Sequence, residues 1–216
     1  MFIKPSNALL ASIGTESKRI PTIYYSGNAL ITYIFWLRLK WISRRLLRFS
    51  PRNDNCLDFG GGGGPFLPTL SNIFKRTTLL DLETIEAQKI KSHYKITNVE
   101  IVQADARDTK LNSAPFDAIV AADVLEHFKI VEPAIAKLHE WLADDGVLVT
   151  SLPTENWVYV LLRIVFGVKK PDDHYHTGYE VEKILADNGF SRVHCSNVPL
   201  YIPFAPLYLI SVWKKS

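Results

Sequence analysis

Five glycines stand in a row within residues 55–66, NCLDFGGGGGPF, directly after a short apolar stretch. Glycine loses more conformational entropy on folding than any other residue. Five of the chain's eleven glycines nevertheless sit at this one place. A flexible linker would explain them. So would a backbone that a ligand must approach closely.

The surroundings separate these two explanations. From residue 55 onward the chain alternates. Strand-like stretches at 55–59, 77–82, 99–105, 116–123, 146–152, 191–198 and 207–213 are interleaved with helical stretches at 65–74, 83–94, 132–145 and 178–190. Pro133 sits in the first turn of the third helix, and Asn188-Gly189 gives the fourth a C-cap signature. Strands alternating with helices imply a parallel sheet covered on both faces. The glycine run occupies the first strand-to-helix loop of that series. Such loops are short, so a linker does not belong there. Close approach to a ligand remains, and sheets of this kind bind ligands at the carboxyl ends of their strands.

Two common phosphate-cradling motifs are excluded. A phosphate-binding loop needs a lysine and a hydroxyl after its last glycine, and here Pro65-Phe66 follow. A dinucleotide fingerprint needs a third glycine where this chain has Pro65 or Phe66. The spacing that fits is acidic-x-Gly-x-Gly-x-Gly, at Asp58, Gly60, Gly62 and Gly64.

That block resembles the first motif of class I S-adenosylmethionine-dependent methyltransferases. Further blocks follow in the family's order. Asp81 ends the second strand, Asp105 stands in VQADAR, and FDAIVAADVLEHF precedes EPAIAKLHEWLADDGVLVTSLPTEN. The resemblance covers residues 54–155 and points toward small-molecule and quinone-biosynthesis members. It implies a Rossmann-like, doubly wound α/β sheet of seven strands, mostly parallel with an antiparallel C-terminal strand. It also implies an N-terminal helical cap over 1–50, a methyltransferase domain over 51–216 and a helical insertion after the fifth strand. S-adenosylmethionine is the implied cofactor. Its ribose would meet Asp81 and its adenine amine Asp105, with Leu82, Ala106 and Asp123 completing the set. Asp81 also reads as a helix N-cap, and Asp105 as a turn residue. A carboxylate accepting two ribose hydroxyls makes charge-assisted bonds. Asp58 is placed to favour the cofactor's ammonium group.

Methyl transfer from a sulfonium needs a base only when the acceptor must lose a proton. DVLEH supplies Asp123, Glu126 and His127 at the end of the fourth strand. His127 reads as a base, as part of a divalent-metal site with the two carboxylates, or as a packed histidine beside a cap. Similar groupings in ubiquinone-biosynthesis O-methyltransferases are associated with a metal; the expectation adopted is catalysis by His127 and Glu126 without one. A second cluster, Asp172, Asp173, His174, Tyr175, His176 and Tyr179, lies in the insertion where this family builds its acceptor pocket. His174 and His176 are candidates there, against the plainer alternative of loop histidines.

Composition bounds the partners. With 216 residues, 47% hydrophobic and 22% charged, the chain can bury one substantial core. A net charge of +3 is too small to imply nucleic acid, and the basic residues gather on one helix. That helix, expected at 28–49, sets Arg38, Lys40, Arg44, Arg45, Arg48 and, continuing the same spacing, Arg52 on one arc, with Leu39, Ile42, Leu46 and Phe49 opposite. It carries Trp36 and Trp41, as membrane-surface helices often do. Residues 157–168, WVYVLLRIVFGV, add an apolar stretch over the expected active site. Together they suggest a small, apolar or lipid-like acceptor and peripheral membrane contact through 28–49. Both segments also read as lids packed on the sheet. Two cysteines fit a reducing compartment, and the opening residues lack a basic start before a long apolar run. A cytoplasmic protein, at the inner face of a membrane, is the resulting expectation.

Overall fold

In the computed structural model the described residues are 1–14, 20–25, 28–165, 174–199 and 206–216, leaving aside the side chain of Ile23. Seven strands form one sheet: β1 Asn55–Phe59, β2 Arg76–Asp81, β3 Val99–Gln103, β4 Phe116–Ala122, β5 Leu142–Pro153, β6 Phe190–Val198 and β7 Tyr208–Lys215. Their order is β3-β2-β1-β4-β5-β7-β6. All neighbours from β3 to β5 pair in parallel, while β7 runs antiparallel to both β5 and β6. The expected doubly wound sheet with an antiparallel C-terminal strand is therefore present.

Around the sheet lie α1 Asn7–Ile13, α2 Ala29–Phe49, α3 Leu67–Ile73, α4 Ile85–His93, α5 Glu132–Trp141, α6 Trp157–Val165 and α7 Gly178–Asp187. The central strands β1, β4 and β5 are buried on both faces, as strands inside a parallel sheet are. Cys56, Leu79, Ala118, Val120 and Val149 join one core with α1 to α4. Leu57, Phe59, Ile119, Ala121 and Leu148 join the other with α5 and α7. Caps fix the helix starts. Asn28 accepts the Leu30 N–H, and Thr177 and Glu180 form a capping box.

The largest boundary difference from the sequence expectation falls between α5 and β5. The helix at 132–145 ends at Trp141, and β5 begins at Leu142. The β4–β5 register shifts between Phe116 and Ala118, which lets residues 142–146 extend the strand. Arg38 also departs from the solvent-facing arc read for α2. It is 2% exposed and turns toward the sheet's carboxyl edge, while Arg52, beyond the helix, pairs with Asp117 and Asp145.

The strand order reverses between β1 and β4. At such a switch point the neighbouring loops diverge and leave a crevice beyond the strand ends.

Candidate active site

A cavity of about 1150 Å³ opens at that switch point. Asp58, Gly60, Gly62, Asp81, Leu82, Asp105, Ala106, Asp123, His127 and His174 all line it. Three of the candidates do not. Gly64 turns the chain into α3 with φ +74°, Glu126 is wholly buried behind the wall, and His176 lies off the cavity. Asp172 and Asp173 fall outside the described residues.

The glycine loop has a physical reason beyond the one expected. A Cβ on Gly60 would run into Val124 Cγ2, and the residue sits at φ +67°. A Cβ on Gly61 would meet Asp58 Oδ2, and one on Gly63 would meet Ile20. Packing of the protein against its own loop thus demands these glycines. Gly62, at φ +55°, donates its N–H to Asp81 Oδ2 at 2.8 Å. The Glu83 N–H donates to Asp81 Oδ1 at 3.2 Å. Two backbone donors therefore orient the Asp81 carboxylate at the lip of the cavity.

Asp58 is 3% exposed, and its Oδ2 has no hydrogen-bond partner among the described residues. Burial, and then the nearby Asp81, push its pKa up to about 7. A buried carboxyl without a donor is costly unless a cation or donor reaches it. The cofactor's ammonium group is such a partner, so the residues present fit the expected group. Asp105 differs. Both its oxygens are held by Arg107, at 3.0 Å to Nε and 2.6 Å to Nη2, which lowers its pKa to about 2. The candidate for the adenine amine is thus directed toward a surface arginine.

At the other end of the cavity the short 3₁₀ turn Leu125–His127 carries Glu126 and His127. His174 reaches the same place from the segment after β5. Its ring stands edge-on to His127, with centroids 4.6 Å apart. Ligand-capable atoms of Glu126, His127 and His174 lie within 4.8 Å of one another. The grouping of Asp123 with Glu126 and His127 suggested by DVLEH is altered here, because Asp123 is ion-paired to Arg38. Three residues of this end were not singled out for the site by sequence reasoning. Arg38 lines the cavity between the rings of Phe35 and Tyr208, at 5.0 and 5.2 Å. Glu155 and Arg163 form an ion pair beside His174. The one available signal was Arg163 itself, a lone charge in an apolar helix.

The strand order, with a cavity at its switch point, is that of the Rossmann-like α/β class. The N-methyltransferase NodS from Bradyrhizobium japonicum WM9, solved with S-adenosyl-L-homocysteine, has a TM-score of 0.70 to this chain at 18% identity, covering 96% of each. The 1,6-didemethyltoxoflavin-N1-methyltransferase from Burkholderia thailandensis has a TM-score of 0.66 at 22% identity, covering 97% of this chain and 88% of its own. In sequence, 100 residues are 32% identical to (S)-coclaurine N-methyltransferase of Papaver somniferum; they make up 44% of this chain and only 28% of that protein. The model of the methyltransferase-domain family matches residues 35–195. The chain belongs to that family.

Proposed function

We propose that the protein transfers a methyl group from S-adenosylmethionine to a small, apolar or lipid-like acceptor, with His127 as the base. The observation that carries this is one continuous cavity whose wall runs from the glycine loop to His127 and His174. When bound, the cofactor supplies an electrophilic methyl group on a sulfonium. The chain's residues do the rest. Asp58, Asp81 and the 60–62 backbone hold the donor end. Phe128, Ile130, Tyr159 and Tyr208 offer apolar surface to the acceptor. His127 takes the acceptor's proton, and alignment of the two ligands in one cavity supplies much of the rate.

The apolar character of the acceptor has further support in α6. Its inner face packs the partly buried Val158, Tyr159 and Leu162 against the core. Its outer face leaves Trp157, Leu161, Ile164 and Val165 exposed, with Trp157 at 74%. Apolar patches of this kind often mark ligand, membrane or protein contacts. No helix among the described residues is long and apolar enough to cross a membrane. Contact at the bilayer surface, through α2 and α6, is the corresponding proposal.

Incubating a host extract with cofactor labelled in its methyl group tests the reading. Label entering organic-soluble small molecules is the expected result. Label confined to protein or to polar metabolites would refute the acceptor class.

A further inference from the structure

The outward side of α2 mixes two kinds of side chain. Spacing of three and four residues sets Leu30, Tyr33, Lys40, Arg44, Leu47 and Arg48 on one stripe, and all six are exposed. No acidic residue occurs anywhere between residues 17 and 53. Among the described residues none of Lys40, Arg44 and Arg48 has a carboxylate partner. Arg44 and Arg45 instead lie over the Trp41 ring, at 5.3 and 4.8 Å, and Arg48 lies over Phe49. Burial, and then the neighbouring Arg48 and Arg44, lowers the pKa of Arg45. Like charges are therefore crowded here without an anion between them.

The apolar face of α6 stands on the same side of the sheet. Both helices pack against one core, and the Tyr208 ring on β7 meets Phe35 of α2 and Tyr159 of α6, each at 5.9 Å. α6 is inverted relative to an ordinary surface helix. Tyr159 and Arg163 turn to the cavity, while Trp157, Leu161, Ile164 and Val165 turn outward.

We propose that these two faces form one docking surface for an anionic lipid bilayer. The α2 cations lie on the headgroups, and the α6 face, with Tyr33 and Leu47, enters the acyl boundary. This rests on the bilayer contact of the reading above and names the charge of the surface. Either signal alone gives weak attachment, and the two together give a stable one. Charge complementarity selects the occupant. An acidic protein or a nucleic acid would pair with α2 and leave the apolar α6 face in water. A second copy, docked through the same face about a two-fold axis, would bring two sets of α2 cations together. The cavity is walled by both helices, through Phe35 and Leu39 of α2 and Tyr159 and Arg163 of α6. Docking therefore sets it beside lipid, where an apolar acceptor can enter without first dissolving in water.

Sedimentation of the full chain with vesicles tests the surface. One set is phosphatidylcholine alone, and the other is phosphatidylcholine mixed with phosphatidylglycerol. The wild type should bind the mixed vesicles at least about tenfold more tightly, and high salt should remove that preference. Lys40→Gln, Arg44→Gln and Arg48→Gln combined should weaken binding to mixed vesicles by roughly 100-fold, at about fivefold per charge. Trp157→Ser with Ile164→Ser should weaken binding to both kinds. None of these side chains lines the cavity, so affinity for S-adenosylhomocysteine by calorimetry should stay near wild type and report an intact fold. A wild type indifferent to lipid charge would overturn the proposal, even where the variants fail to fold. So would a triple variant that binds like the wild type, or a chain that dimerises and ignores vesicles. Vesicle binding needs neither cofactor nor acceptor, so its failure and failure of the label-transfer assay are told apart.

Discussion

The guanidinium of Arg38 is ion-paired to the carboxylate of Asp123 inside the active-site cavity, and its Nη2 donates to the Tyr24 hydroxyl at 2.8 Å. One side chain thereby ties α2 and the 3₁₀ turn Thr22–Tyr24 to the end of β4. Asp123 itself stands at φ +52°, a backbone state the pair helps to hold. The N-terminal segment is a wall of the site rather than an appendage.

Arg38→Met therefore strands Asp123 beside the cavity. Breaking a buried pair costs about 3–5 kcal/mol, and less here because Asp123 is 22% exposed. A loss of about 2 kcal/mol in urea unfolding is expected. The double variant Arg38→Met, Asp123→Asn should recover part of it. Additive losses in the double variant would show that the two residues are not coupled.

Gly60→Ala places a Cβ against Val124 at positive φ. We expect about 1–3 kcal/mol of destabilisation from the clash. Adding Val124→Ala should relieve the clash but leave the backbone strain. Thermal melts that are unchanged for Gly60→Ala would contradict the packing account of the glycine run.

Asp58 makes cofactor binding depend on pH. Its folded pKa is raised to about 7 from an ordinary 3.8. Below pH 7 the carboxyl is neutral and must lose a proton to pair with the cofactor's ammonium. Affinity for S-adenosylhomocysteine should therefore rise with pH from about 5 to 7 and level off above. The same shift lowers folding stability as pH rises across this window, because the folded state binds the extra proton. Asp58→Asn should flatten both profiles. Calorimetry across pH showing no trend in the wild type would remove Asp58 from the ammonium site.

His127→Ala should reduce methyl transfer by about 10²–10⁴-fold, the usual worth of a positioned base. Affinity for S-adenosylhomocysteine should stay near wild type, since His127 lies at the acceptor end. Activity in the wild type should survive chelation by EDTA. Loss on chelation, with recovery on adding a divalent cation, would instead assign Glu126, His127 and His174 to a metal.

The donor half of this site was legible in the sequence because local chemistry writes it. Asp58 and Asp81 lie in the last residues of their strands, the glycines and Asp105 follow strand ends, and parallel pairing gathers those ends at one edge of the sheet. The acceptor half was less legible. Arg38 falls on the basic arc of α2 by helical spacing, and only the tertiary fold shows that the arc's first member is swallowed by the cavity. Glu155 and His174 are 19 residues apart, with a helix between them, and no spacing rule announces their contact. The extension of β5 back to Leu142 was hidden in the same way. Ala143, Asp144 and Asp145 favour a helix end or a turn locally, and the irregular pairing with β4 overrides them.

The most direct test is a crystal structure with S-adenosylhomocysteine. The nucleoside should lie at the carboxyl ends of β1 and β2, its ribose hydroxyls on Asp81 and its amino acid end against the 60–62 backbone near Asp58. Density for the molecule at any other place, with Asp81 left facing solvent, would contradict the account.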